Sequence, residues 1–228
     1  MGMIRKALAG VAAGASITAG LTVVNIVQAG NRNPDGRTMG EILGVDPEEA
    51  TFSDIEKLSR ADTMQLFYAA LTPPLDAIRG EYRAELLSGG VLGGATALFT
   101  HYVFPTGTLT LDTRWHGKAF QPEGPEGGWG INAFSGRDHS GAHEPFYTRK
   151  MRIYTAPTII GRDGRDSIHL DYTPYNHDIV KSMHDEIRQI NRNLFLGAGY
   201  MSLTGGPMNP APFVLTGPPV DFPQISKP

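Results

Sequence analysis

A chain of 228 residues, 40% hydrophobic and 19% charged, has the composition of a folded protein and enough length for one large domain, and it is too apolar for a disordered chain. Twenty basic residues against 23 acidic ones, a net charge of −3, form no basic stripe and so exclude an electrostatic nucleic-acid binder. The absence of cysteine removes thiol catalysis, disulfides and thiolate zinc sites, and 28 glycines with 17 prolines argue for short elements joined by turns rather than a helical bundle.

At the start of the chain Arg5 and Lys6 precede a small, apolar run, Ala7 to Ala29, that ends Val27-Gln28-Ala29 before Gly30. A charged start, an apolar centre and a small-residue end are the marks of a secretory signal. The run is also long enough for a membrane-anchoring helix, and Gly10 and Gly14 have the spacing that lets helices pack closely in a bilayer. An ordinary alanine-rich helix is the competing reading. Residues 1–29 are therefore expected to be a signal peptide or membrane anchor helix. Such a segment would place the protein outside the cytoplasmic membrane, in the periplasm, the cell envelope or the medium, with the membrane as a partner if the helix is retained.

Residues 30–74 read as a linker followed by short helices. Gly30 to Arg37 is polar and turn-rich. Asp46-Pro47-Glu48-Glu49 has a helix-start pattern, and Ser53-Asp54-Ile55-Glu56 fits a capping box with Ser53 as the cap. Ile55, Leu58, Met64, Phe67, Tyr68 and Leu71 fall on one helical face, which Thr72-Pro73-Pro74 stops.

The pattern then changes. Gly80 to Leu87 alternates at Tyr82, Ala84 and Leu86. Val91 to Phe104 is apolar without alternation and closes at Pro105, as expected of a helix crossing one end of a domain. Thr108 to Phe120 is a β-rich run with Leu109, Leu111, Thr113 and Trp115 on one face, and Gln121 to Gly128 reads as a loop. Further strands are expected over 128–134, 146–155, 167–172, 179–183, 186–190, 194–203 and 212–216, with turns at Asp163-Gly164 and Asn191-Arg192-Asn193. About eight strands at this spacing suit an antiparallel barrel or sandwich, and closure into a barrel removes exposed edges. The expectation is a mainly β fold: N-terminal helices, an antiparallel barrel over 75–217, and an irregular tail over 218–228.

The order of motifs resembles the lipocalin-like (calycin) class, and within it small bacterial domains named for a GXWXG motif. The residues that carry the likeness are Gly80-Glu81-Tyr82-Arg83, Trp115-His116-Gly117-Lys118-Ala119-Phe120, Leu170-Asp171-Tyr172, Asp185-Glu186-Ile187-Arg188 and Pro212-Phe213-Val214-Leu215. Tyr82 stands where the family has Trp, and Ala84 where it has a second Gly. No arginine follows Arg192, so Arg188 is the nearest candidate for the arginine that covers the family's Trp. No histidine follows His184, so the likeness carries no haem. What it implies is a closed barrel with an apolar ligand inside, and no reaction.

The candidate ligand-binding residues are Tyr82, Trp115, Lys118, Asp171, Tyr172 and Arg188. On a regular strand Trp115 shares a face with Gly117, and His116 shares the other with Lys118. Trp115 would then line the cavity and Lys118 would pair with a ligand anion at the rim; a core tryptophan and a solvated lysine are the plain alternative. His169 and Asp171 point to one side of a strand and form the candidate acid–base pair, with His177 and Asp178 near by. A hydrogen-bonded surface is the competing reading. Glu186 and Arg188 share a face and suit either a closure of one barrel end or a solvent-facing ion pair. His139, His143 and Glu144 lie in a Gly/Ser loop without metal-site geometry, so neither a metal nor a cofactor is expected. The leading expectation is a binding or transport protein for a lipid or other apolar small molecule. The alternatives are a barrel enzyme using Asp171 and His169, and an envelope protein with a solid barrel and a membrane-docked helix.

Overall fold

Eight antiparallel strands, each paired with its neighbour in sequence, close on themselves when the last pairs with the first. The computed structural model describes residues 20–137 and 143–221. The strands are β1 (Gly80–Leu86), β2 (Arg114–Gly124), β3 (Gly127–Arg137), β4 (His143–Pro157), β5 (Asp166–Asp171), β6 (Met183–Asn191), β7 (Leu194–Met201) and β8 (Ala211–Val220). Closure follows from β1–β8 pairing, with Ala84 opposite Leu215 and Leu86 opposite Phe213. The mainly β barrel with helices before it is the fold that the sequence leads one to expect.

Two apolar clusters divide the work. Inside the barrel, Phe120, Met151, Ile153, Ile168, Leu170, Ile187, Phe195 and Leu215 alternate with outward residues, as a period of two requires. Leu75 and Ile78 belong to the same cluster, next to the start of β1. On the outside, α4 (Arg60–Ala69) brings Met64, Leu66, Phe67 and Tyr68 into one cluster with Leu194, Leu196, Ala198 and Val214 of β7 and β8. Two shorter helices, α2 (Met39–Leu43) and α3 (Phe52–Glu56), extend this layer. The first helix, α1 (20–28), and α5 (Gly93–Leu98) lie at the barrel mouth. Among the described residues no helix is long and apolar enough to cross a membrane. Residues 1–19, which hold Arg5, Lys6 and the Gly10/Gly14 pair, lie outside the described residues, as does His139 with the side chain of His143.

Several local expectations need correction. The α3 capping box uses Thr51 and Asp54, not Ser53 and Glu56: the Asp54 carboxylate accepts from Thr51 N at 3.0 Å and Thr51 Oγ1 at 2.8 Å. Both pairs have the same spacing, and the helix that starts from the Thr51 cap buries Ile55. Asp46 to Glu49 forms turns rather than a helix, and Leu71 is exposed beyond the end of α4. The β-rich run from Thr108 becomes a strand only at Arg114. Leu109 and Leu111 are 62% and 71% exposed, because the barrel leaves this loop no apolar face to cover. Gln121 to Gly124 and Gly127 to Gly128 are not a loop but the paired ends of the β2–β3 hairpin. Residues 179–182 form a 3-10 turn capped by Asp178, whose side chain accepts from Val180 N, so β6 begins at Met183. The last strand runs past Gly217 to Val220.

Among the described residues Arg188 is the largest fully buried side chain, and it points away from the barrel interior. Glu186 and Arg188 share the outer face of β6. Beneath α4, the Arg188 guanidinium bonds both carboxylate oxygens of Asp163 and the Phe67 and Tyr68 carbonyls, with its Cζ 5.0 Å from the Phe67 ring centre. It therefore fixes the helical layer to the wall. Burial works to raise the Asp163 pKa, but the Arg188 and Arg165 bonds outweigh it and hold the carboxyl below its ordinary value. A folded pKa below the unfolded one means that the unfolded chain takes up the proton first. The pair's contribution is thus full at neutral pH, shrinks as pH falls below about 4 and is gone once pH passes the folded pKa. Arg188→Ala should cost about 3 kcal/mol in urea unfolding at pH 7, because it leaves the buried Asp163 with only the half-exposed Arg165 as counter-charge. The same variant should lose part of the wild-type decline in stability below about pH 4.

Candidate functional site

One irregularity in β2 creates the site. Trp115 lies opposite Phe134 and Gly117 opposite Ala133, so His116 is an extra residue that bulges out of the pairing. The bulge turns Trp115 and Lys118, three apart, to the same inner side, while His116 lines an outer surface groove with Glu81 and Arg83. The regular alternation expected from the sequence, with Lys118 opposite in face to Trp115, is overturned by this one residue.

Inside, Lys118 Nζ bonds Tyr172 Oη at 2.6 Å, Asp185 Oδ2 at 2.9 Å and Asn132 Oδ1 at 2.9 Å. An ammonium has three N–H donors, so its capacity is spent. Tyr172 Oη donates to Asp185 Oδ2 at 3.0 Å, and Trp115 Nε1 donates to Asn132 Oδ1 at 3.0 Å. Asn132 Nδ2 donates to the Arg149 carbonyl and to Tyr172 Oη. The ammonium also lies 5.1–5.4 Å from the ring centres of Trp115, Tyr172 and Phe213, within reach of a cation–π attraction. Burial pulls the Lys118 pKa down while Asp185 opposes the shift, and burial first, then Asp185, pushes the Tyr172 hydroxyl well above its usual value.

Above this polar floor lies a cavity of about 320 Å³ whose walls include Leu86, Phe99, Phe104, Met183, Met201 and Phe213. Trp115, Lys118 and Asp185 form its floor, and Thr22, Asn25, Arg60 and Asn209 its rim. Phe213 fits there because Gly197 lies beneath it on β7: a Cβ at 197 would come 2.1 Å from the ring. The apolar run after Gly89 supplies the lid. Its helix α5 passes into a π-helical turn, Phe99–Val103, in which Phe104 N bonds Phe99 O at 2.8 Å. That turn directs Phe104 against Phe134 and Tyr172, at ring-centre distances of 5.6 and 5.8 Å.

Arg149 pins the lid. It is the one non-glycine residue with positive φ among those described, at 62°. The strain has a local cause: β4 carries an extra residue between Thr148 and Met151, which pair with Asn132 and Gly130. The resulting direction lets Arg149 Nε bond Phe104 O at 2.6 Å and Nη2 bond Asp178 Oδ2 at 2.8 Å.

At the rim, Arg60 is only 5% exposed. Its Nη2 donates to Asn209 Oδ1 and Pro210 O, while Nε and Nη1 have no hydrogen-bond partner. Burial lowers its pKa to about 10, which leaves it a cation at neutral pH.

Of the residues singled out in the sequence, Trp115, Lys118 and Tyr172 come together here. The others do not. Tyr82 packs inside the barrel against Phe120 and Phe195, away from the cavity walls, with its hydroxyl on the Ala77 carbonyl. Asp171 faces outward, paired with Arg152 at 2.9 Å. His169 shares that outer side as expected, but its ring nitrogens meet His184 Nε2 at 2.8 Å and the Ala156 carbonyl at 3.1 Å rather than Asp171. Arg188 lies under α4. His177 is exposed, and Asp178 serves the lid. Asn132, Asp185, Arg149 and Arg60 were not among the expected site residues. Asp185 was readable: Ile187 must face in, so Asp185, two residues away, faces in as well. Asn132, two residues from the inward Phe134, was readable in the same way, whereas Arg149 and Arg60 depend on a bulge and on loop contacts without a local signature. Among the described residues there is no group of three or more metal-ligating acidic or histidine side chains.

Fold and site together define a closed eight-stranded antiparallel barrel with a lidded apolar cavity above a buried ion pair. No family model and no curated protein matches the chain. A crystal structure of a protein from Thermomonospora curvata is similar to it at 17% identity, covering 72% of this chain and 90% of that one, with a TM-score of 0.47.

Lys118→Met should destabilise the fold by about 3–5 kcal/mol, since Asp185 would be left buried without its counter-charge. Lys118→Met combined with Asp185→Leu should recover most of that loss, because an apolar replacement of both partners leaves no stranded charge. Urea unfolding of the two single variants and the double variant reads the coupling directly.

Proposed function

We propose that this protein binds a small, mainly apolar molecule in the mouth cavity of a lipocalin-like barrel, as a carrier or binding protein acting outside the cytoplasmic membrane. The supporting observation is the cavity itself: aromatic, leucine and methionine walls over a floor where Lys118 is bonded by Asn132, Tyr172 and Asp185. Each 100 Å² of apolar ligand surface withdrawn from water there gains about 2.5 kcal/mol, before the cost of immobilising the ligand. The calycin-like order of motifs favours the same reading. An acid–base enzyme built on His169 and Asp171 finds no support, because both lie on the outer wall.

Placement at a membrane is the second part of the proposal, and α1 supports it. Asn25 turns inward and bonds Asn209 and Leu92 N, while the exposed Gln28 bonds Val91 N of the neighbouring segment. Val23, Val24 and Val27 face outward at 46–72% exposure. A helix with its polar side against the protein and its valines outward suits an apolar surrounding at this end of the barrel. The cavity rim, which includes Thr22 and Asn25, lies beside it.

The chain has two tryptophans, and Trp115 touches the cavity. In a Trp129→Phe variant, emission reports Trp115 alone. Titration with 1-bromodecane should quench it saturably, and Ala95→Trp in the lid, made in a Trp115-retaining variant and followed by native mass spectrometry, should abolish retention of the same compound. Unsaturable quenching together with no retained ligand would overturn the proposal.

A further inference from the structure

Arg60 has no role in the barrel that explains its charge. It is the first residue of α4, after the Ser59 cap, where the positive end of the helix dipole disfavours a cation. It is 95% withdrawn from solvent by its 5% exposure, it forms no ion pair with any described carboxylate, and two of its three guanidinium nitrogens lack an acceptor. A buried cation of this kind is costly unless something supplies the opposite charge. The Asp185 carboxylate that lines the same cavity is already balanced by Lys118, which with Tyr172 bonds its Oδ2. Two partners of Arg60, Asn209 and Pro210, also line the cavity, so the guanidinium is held at its rim rather than free to swing out to water.

Resting on the cavity-binding reading above, we infer that the ligand is an anionic amphiphile, a single aliphatic chain ending in an oxyanion that Arg60 pairs at the rim. The floor has no net charge and no spare ammonium donor, so it takes the apolar end. The rim has a cation with no counter-charge among the described residues, so it takes the head. An oxyanion there gains from Arg60 and from the α4 N-terminus together, while the dipole that disfavours Arg60 alone is offset. The volume sets the size: 320 Å³, at about 30 Å³ for each water-sized group, accommodates about ten heavy atoms. Carboxylate and phosphate monoester share this chemistry.

The test compares decanoate, decyl phosphate and 1-decanol by isothermal titration at pH 7.5, on the full chain and on Arg60→Met and Arg60→Lys. The wild type should bind at least one of the two anions about 10- to 100-fold more tightly than the alcohol, the range expected of a charge-assisted hydrogen bond. Whichever anion leads identifies the head group. Arg60→Met should lose that preference yet keep its affinity for decanol, and Arg60→Lys should restore part of it. Equal binding of alcohol and anions by the wild type sinks the Arg60 assignment and leaves the cavity reading intact. Binding of none of the three sinks both. Should Arg60→Met fail to fold, the wild-type preference and the Arg60→Lys reduction still decide the matter: an unchanged preference in Arg60→Lys and no preference in the wild type each count against it.

Discussion

The fold tolerates its hollow because of one buried ion pair. Lys118 and Asp185 sit inside a barrel whose other inward residues are nearly all apolar, and each would be prohibitive there without the other. Their attraction ties β2 to β6 across the barrel. Tyr172 and Asn132 extend the tie, Tyr172 from the end of β5 and Asn132 from β3. Apolar side chains fill the barrel on one side of this cross-brace, and on the other the lid and the strand ends enclose free space. A hydrogen-bonded floor is directional where an apolar filling is not, so the cavity keeps a defined base while its walls remain apolar.

The barrel was legible in the sequence and the cavity was not. Alternation at Tyr82 and Ala84 gave the inner face of β1, the Pro105 stop gave the lid helix, and Asn191-Arg192-Asn193 gave the β6–β7 turn. What alternation could not disclose were the two bulges. One extra residue at His116 reverses the side to which Lys118 points, and one extra residue at Arg149 produces a strained arginine that reaches the lid. Both insertions are invisible to a period-two reading, because the residues on either side still alternate.

The same limit explains the misplaced candidates. His169, Asp171 and Arg188 form polar runs that look like a site in one dimension. The barrel turns them outward, where α4 and the loop after β4 bury Arg188 and the neighbouring strands bury His169 against His184 and Tyr154. Polar residues buried on the outside of a barrel have no counterpart in a single-layer reading of strands. Arg60 is the converse case: it lies off the apolar face expected of its helix, and Asn209 and Pro210 before β8 bond and bury it at the rim.

The glycine at 197 has a bearing on what size of guest the hollow admits. Phe213 occupies the place that any side chain there would claim, so its ring is recessed into the sheet instead of standing in the free space. A single methyl at this position would lift the aromatic plate toward the centre and shorten the room from the side, with the lid and ion pair untouched. Capacity is therefore adjustable at a locus remote from every charged group, and related chains could diverge in the length of guest they accept while conserving how its head is held.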